Sequence, residues 1–325
     1  MLDAQNRSID YIRISVTDRC NLRCVYCLPE EGVHSLPHEE ILSYEEIRRL
    51  CGIFSALGIR KVKLTGGEPL TRKGIAELVR MLKADCGMES VTLTTNGILL
   101  TEQLAELVRA GVDGVNISLD TPDRERFREI TRRDELEQVL AGIRFALTFP
   151  ELNVKINCVP VAQHVDDALA IAGLAKDQRL NVRFIEMMPI GLGKQSEGIR
   201  EADLIQRLEC AYGKMTPCGQ TPGNGPAHYY HVQGFQGNIG FISAISHKFC
   251  SECNRIRLTA DGYLKTCLQY EADVDLKKML RSGADDGQLL QSIREAITDK
   301  PQGHHFTEEA GETKPEQHYM SQIGG

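Results

Sequence analysis

Residues 11–27 read Y-I-R-I-S-V-T-D-R-C-N-L-R-C-V-Y-C, an apolar, β-branched segment running straight into Cys20, Cys24 and Cys27 at the spacing C-x3-C-x2-C. The segment has the composition of a strand, and the cysteines follow it, at the end where parallel α/β sheets gather function. Four thiolates would close a tetrahedral zinc or iron-sulfur site. Three tightly spaced ones can hold a cubane cluster and leave one iron without a protein ligand, and an open metal position is a place for chemistry. A zinc knuckle or a group of packed thiols is the competing reading of the same residues.

Short apolar strands alternating with amphipathic helices continue from Tyr11 to about Ile190, the pattern of a parallel α/β layer. Strands are expected over 11–16, 61–64, 91–94, 114–119, 154–159 and 182–186. The first helix opens on Ser43 and Glu46, a capping box, and the helix after the fourth strand opens on Asp134 and Glu137 in the same spacing. Six repeats are too few for an eightfold barrel, so the expected fold over residues 1–190 is an incomplete (β/α)6 TIM-like barrel. A smaller C-terminal module, 191–299, should follow. It contains a helix over 201–211, the Gly/Pro-rich run T-P-C-G-Q-T-P-G-N-G-P-A, the β-type runs H-Y-Y-H-V and N-I-G-F-I-S, and helices over 274–281 and 286–297. Residues 300–325 are polar and are expected to form a flexible tail ending in Gly324-Gly325.

The 42% hydrophobic and 26% charged fractions are ordinary for a soluble globular chain of 325 residues. No apolar run approaches a membrane span, and the first residues have no signal-peptide pattern, so a cytoplasmic protein with no membrane partner is expected. A net charge of -7 argues against a nucleic-acid binder. An anionic substrate would therefore need a local basic pocket. Of the 11 cysteines, those that cluster are metal-ligand candidates. Cys51, Cys86, Cys158, Cys210 and Cys218 are scattered and read as small packed residues.

Cys250, Cys253 and Cys267 form a second set of three, which zinc completed by His247 or by a distant histidine would also explain. Beside it, Arg255 and Arg257 lie two apart in C-N-R-I-R-L, so in an extended chain both guanidiniums share one face. Paired guanidiniums suit a phosphate-rich ligand; an exposed charged strand face is the alternative. For His247, His304 and His305, surface or packing roles are expected.

The first cysteine motif, with G-G-E-P at residues 66–69, resembles the signature of the radical S-adenosylmethionine (SAM) enzymes. In these the open iron of a [4Fe-4S] cluster binds SAM and reduces it to a 5'-deoxyadenosyl radical. The resemblance implies that Gly67 contacts the SAM amino group, that Tyr26 lies near the adenine, and that Ser118 and Met188 complete the pocket.

The run G-N-I-G-F-I-S-A-I-S-H-K-F-C-S-E-C-N-R-I-R-L-T-A-D-G-Y-L-K-T-C-L narrows this further, together with K-L-T-G-G-E-P-L, T-L-T-T-N-G, N-I-S-L-D and the terminal Gly-Gly. All resemble the GTP 3',8-cyclases of molybdenum-cofactor biosynthesis. That family implies a second [4Fe-4S] cluster on Cys250, Cys253 and Cys267, whose open iron receives guanine. It also implies abstraction of the ribose 3'-hydrogen of GTP to give 3',8-cyclo-7,8-dihydro-GTP. Substrate contacts carry over onto Arg13, Lys63, Thr94, Lys155, Arg255 and Arg257, and an assisting catalytic role onto Gly324 and Gly325. At Lys63 the family commonly has Arg, so a bidentate contact there is lost while a single contact survives. Implied partners are GTP, a flavodoxin or ferredoxin as reductant, cyclic pyranopterin monophosphate synthase downstream, and a second copy in a homodimer. A radical SAM peptide-modifying enzyme and a non-enzymatic two-site metal or electron-transfer protein are the alternatives. The first should carry a longer cysteine series, and the second has no need of G-G-E-P or a basic pocket.

Overall fold

A computed structural model describes residues 1–219, 223–306, 316 and 319–323. Six parallel strands form its centre: β1 (Tyr11–Ser15), β2 (Lys61–Thr65), β3 (Ser90–Thr95), β4 (Gly114–Ser118), β5 (Asn153–Cys158) and β6 (Asn181–Ile185), paired in chain order. Their outward residues are fully or almost fully buried. Ile12, Ile14, Val62, Leu64, Val91, Leu93, Val115, Ile117, Ile156 and Val182 are each 0% exposed, packed beneath the covering helices. The inward residues of the same strands are polar, among them Arg13, Lys63, Thr92, Thr94, Asn116, Lys155 and Arg183. Strict alternation thus sends oil to one face and charge to the other.

The chain beyond residue 191 adds strands to both edges of this sheet rather than building a separate one. At one edge, β7 (Met215–Pro217), β8 (His228–Val232) and β9 (Ile239–Ile242) join, with β9 parallel to β6. At the other, β10 (Arg255–Leu258), β11 (Tyr263–Lys265) and β12 (Val274–Asp275) join, with β10 parallel to β1. The described residues therefore contain one 12-stranded sheet that runs from β12 to β7. No described helix is long and apolar enough to cross a membrane.

Local departures from the sequence expectations have identifiable causes. The capping box at Ser43 and Glu46 forms as expected, with α1 spanning Tyr44–Ala56. The one expected at Asp134 does not form, because Asp134 is held by Arg124 at 2.8 Å and the helix Leu136–Ala146 has no side-chain cap. Arg124 belongs to a helix absent from the expected order, Arg124–Thr131, capped by Asp123 and buried through Phe127 and Thr131. A single aromatic in a run of charge hid its periodicity. The helix expected from Val274 begins at Leu276, since Val274 and Asp275 pair with β11. Cys51, Cys86 and Cys158 are buried, but Cys210 is exposed and unpacked.

The N-terminal segment straps the C-terminal one down. Arg7, paired with Asp3 at 2.6 Å with side chains 4% and 0% exposed, donates to the carbonyls of Cys250 (2.9 Å), Pro301 (2.7 Å) and Gln302 (2.9 Å). Removing one member of a buried pair strands the other, a loss of about 3–5 kcal/mol. Arg7→Met should therefore lower the unfolding free energy by about that amount in a denaturant titration. Arg7→Met with Asp3→Leu should recover only part of the loss, because the carbonyls of Cys250, Pro301 and Gln302 still lack their donor.

Candidate functional site

A cavity of about 530 Å³ fills the concave face of the sheet, and both cysteine sets line it. At one end, Cys20, Cys24 and Cys27 sit on the loop after β1. The Cys27 and Leu28 amides close turns onto the Cys24 carbonyl at 2.9 and 3.0 Å. Burial pushes the Cys20 thiol up to about 11 and the Cys27 thiol up to about 12. Cys24 is also raised well above its usual value, by burial and then by the neighbouring thiol Cys27. Three thiols close enough to oppose one another's ionisation become thiolates most readily against a cationic metal group. The donor set fits an iron-sulfur cluster.

The glycines of G-G-E-P serve this loop first. Gly66 has φ 153°, and a Cβ there would strike Thr17 O; one at Gly67 would strike Arg19 O. The gap is closed by Gly67 N donating to Thr17 O at 2.7 Å and Glu68 N to Arg19 O at 2.8 Å. Only backbone without side chains lets β2's exit lie on the cysteine loop. Glu68, 1% exposed, accepts from Leu70 N (3.0 Å), Thr95 Oγ1 (2.7 Å) and Asn96 N (2.6 Å). Burial raises its carboxyl to about 7 in spite of these donors. Tyr26, Ser118 and Met188 all line this end. The Tyr26 hydroxyl donates to Asp120 at 2.5 Å, and Asp120 also accepts from Val159 N at 2.8 Å.

The middle of the cavity is cationic. In register, Arg257 of β10 lies beside Arg13 of β1, and Arg13 beside Lys63 of β2. Thr94 lies beside Asn116, and Asn116 beside Lys155 of β5. Arg255 and Arg257 share one strand face, as their spacing predicts, and the Arg255 guanidinium stacks 5.2 Å from the Phe249 ring centre. Arg183 belongs to the same group and was missed by the sequence reading. It sits on β6 with its Nε 3.0 Å from Asn157 Oδ1. The alternation of N-V-R-F-I could have placed it inward beside the six candidates.

These cations depress one another. Burial comes first and neighbouring positive charge second, lowering Arg257 and Lys63 well below their ordinary values and Lys155 to about 7. The described carboxylates that line the cavity are engaged elsewhere: Glu68 and Asp120 as above, Glu186 by the Ile245 and Ser246 amides, and Asp113 by Lys83.

At the far end, Cys250, Cys253 and Cys267 meet the strap that Arg7 holds. Burial pulls the Cys253 thiol up, but Lys300, Arg255 and Arg7 together bring it below its usual value. His304 is buried against Phe306 and lines the cavity, while the His247 imidazole lies 3.4 Å from Glu201. Met320 and Ser321 reach the wall from the tail; Gly324 and Gly325 lie outside the described residues.

The chain resembles known proteins along its whole length. Residues 14–174 match the Radical SAM superfamily, and residues 180–306 match the family Molybdenum Cofactor Synthesis C. The chain is 45% identical over 329 residues to the GTP 3',8-cyclase of Pelotomaculum thermopropionicum and 46% over 330 residues to that of Heliobacterium modesticaldum, covering 100% of both chains in each case. Among solved structures, SuiB of Streptococcus suis bound to S-adenosylmethionine matches with TM-score 0.61 at 15% identity, covering 87% of this chain and 67% of that one. At that identity the likeness speaks to the fold.

An ammonium with a pKa near 7 is largely neutral just above neutrality, and a bound polyanion raises it again. Binding of inorganic tripolyphosphate should therefore take up a proton at mildly alkaline pH and weaken as pH rises. Calorimetry in two buffers of different ionisation enthalpy should register the uptake, and Lys155→Met should reduce it, with Lys63 accounting for what remains.

Proposed function

The chain belongs to the GTP 3',8-cyclases, radical SAM enzymes of the first step of molybdenum cofactor biosynthesis, and we propose how its residues divide that work. The observation that carries the reading is the cationic row between two cysteine sets. When bound, an iron-sulfur cluster and SAM supply one-electron cleavage to a 5'-deoxyadenosyl radical, the chemistry the protein itself lacks. Cys20, Cys24 and Cys27 would hold that cluster. Tyr26, Gly67, Ser118 and Met188 would seat SAM, with Gly67 fixing the backbone of the cysteine loop.

The triphosphate of GTP belongs on Arg13, Arg255 and Arg257, whose forked donors match phosphate oxygens. Lys63 gives a single charged contact where a guanidinium would give two. Arg183, steadied by Asn157, extends the row toward Lys155. Thr94 adds a hydroxyl beside Asn116. Cys250, Cys253 and Cys267 would hold a second cluster, which would offer the guanine of GTP a ligand position at the far end. Fixing both ends of the substrate in this way converts a radical encounter into an oriented one, and orientation is the protein's main lever on rate. The terminal Gly324 and Gly325 assist from the tail. Ferredoxin or flavodoxin supplies electrons, and cyclic pyranopterin monophosphate synthase takes the product.

Anaerobic protein with dithionite, SAM and GTP should yield 5'-deoxyadenosine and 3',8-cyclo-7,8-dihydro-GTP, and Cys24→Ala should yield neither. Arg257→Ala should weaken GTP binding roughly ten- to hundredfold while SAM affinity changes little, as measured by equilibrium binding of each. Equal loss of both would reject the substrate assignment. Iron and sulfide analysis after reconstitution should give about eight irons per chain for two cubanes; zinc at the second site would reject the second cluster.

A further inference from the structure

We propose that Lys265 and Glu316 form a clamp that fixes the C-terminal tail against the first cysteine site, and that both act as positioning residues for the reaction. This rests on the function proposed above and adds the device that places the tail. Residues 300–325 are polar and, read as sequence, would fray. Glu316 is nevertheless only 6% exposed and forms an ion pair with Lys265 whose side chains are 2% and 1% exposed. Two more bonds seat the pair: Glu316 N donates to Gln269 O at 2.6 Å, and the Lys265 ammonium donates to Tyr270 O. Charges this deeply buried on a surface tail need a reason, because an exposed pair would avoid the desolvation penalty.

The reason lies a few residues further on. The last described turn of the tail, Met320–Ile323, is packed, with Ser321 and Ile323 each 2% exposed. Ser321 and Met320 line the cavity, with the Ser321 backbone beside Cys27. The Ser321 hydroxyl is buried there without a hydrogen-bond partner among the described residues, a donor and acceptor aimed into the site where SAM would lie. Met320 lies four positions beyond Glu316 in the chain, so the clamp sets the reach of the turn Met320–Ile323. Lys265 also faces Arg257 across the sheet. The strand pair that presents an arginine to the triphosphate thus also anchors the tail.

The test uses reconstituted enzyme carrying Glu316→Gln or, separately, Lys265→Met. Hydrogen exchange should show the 319–323 amides protected in the wild type and exposed in both variants. The midpoint potential of the SAM-sensitive paramagnetic signal should shift, because the packed turn at Met320–Ile323 no longer covers the cysteine site and its exposure to solvent changes. Cyclisation kcat should drop by up to about a hundredfold with the KM for GTP unchanged. Unchanged protection in both variants overturns the clamp, and lost protection with unaltered kcat overturns its role in the reaction. Exchange and potential need no GTP turnover, so a wild type that makes no cyclised product rejects the proposed function and leaves the clamp to be judged separately.

Discussion

Six cations, Arg13, Lys63, Lys155, Arg183, Arg255 and Arg257, are held on one face of a single sheet, and much of the molecule is arranged around keeping them there. Burial and mutual repulsion both work against the charged forms, so this row destabilises the fold that carries it. The opposing term is the other face, where each strand sets branched apolar residues beneath the helices. Alternation with period two is what allows one strand to do both. A one-residue slip in β1 would exchange Arg13 with Ile12 or Ile14 and ruin both faces at once.

Charge is also graded along the cavity. The end with Cys20, Cys24 and Cys27 contains Glu68 and the Tyr26–Asp120 pair, and its thiols are raised. The end with Cys253 contains Lys300 and Arg255, which pull that thiol down. A sulfonium cation is at home at the first end and a polyanion along the row that leads to the second. Two sites with the same three-cysteine plan therefore differ in the charge of the groups around them, although burial raises the Cys267 thiol at the second end as it does the thiols at the first.

How much of this could be read from sequence follows from the range of each signal. The six strands of the barrel and the cap at Ser43 were legible because a period of two and a capping box are local patterns. Arg255 and Arg257 were legible for the same reason, two residues apart on one strand. Arg183 was not singled out, since its neighbours Asn157 and Lys155 are distant in sequence and its charge looked ordinary in an acidic chain. The glycines of G-G-E-P were expected to serve a ligand, yet their nearest constraint is the carbonyls of Thr17 and Arg19, a contact between loops that no local pattern records. The Asp134 cap failed because Arg124, ten residues earlier, competes for the carboxylate. The burial of Glu316 was illegible altogether, because a tail's composition predicts fraying unless a distant partner such as Lys265 is known.

The position of β10 explains why the second half of the chain is part of the site. It pairs parallel with β1, although more than two hundred residues separate them, and sets Arg257 directly beside Arg13. A detached module would need its own hydrophobic core and would leave the inward arginines on two bodies free to move relative to each other. Joining the same sheet fixes their spacing by backbone hydrogen bonds, with neighbouring strands about 4.8 Å apart. The three cysteines on β1's exit loop and the cations of β10 thus share one rigid reference. Misplacement of reacting groups by an ångström can cost about a hundredfold in rate, and a radical that misses its target attacks whatever lies nearest. A continuous sheet between the two cysteine sites is the structural answer to that demand.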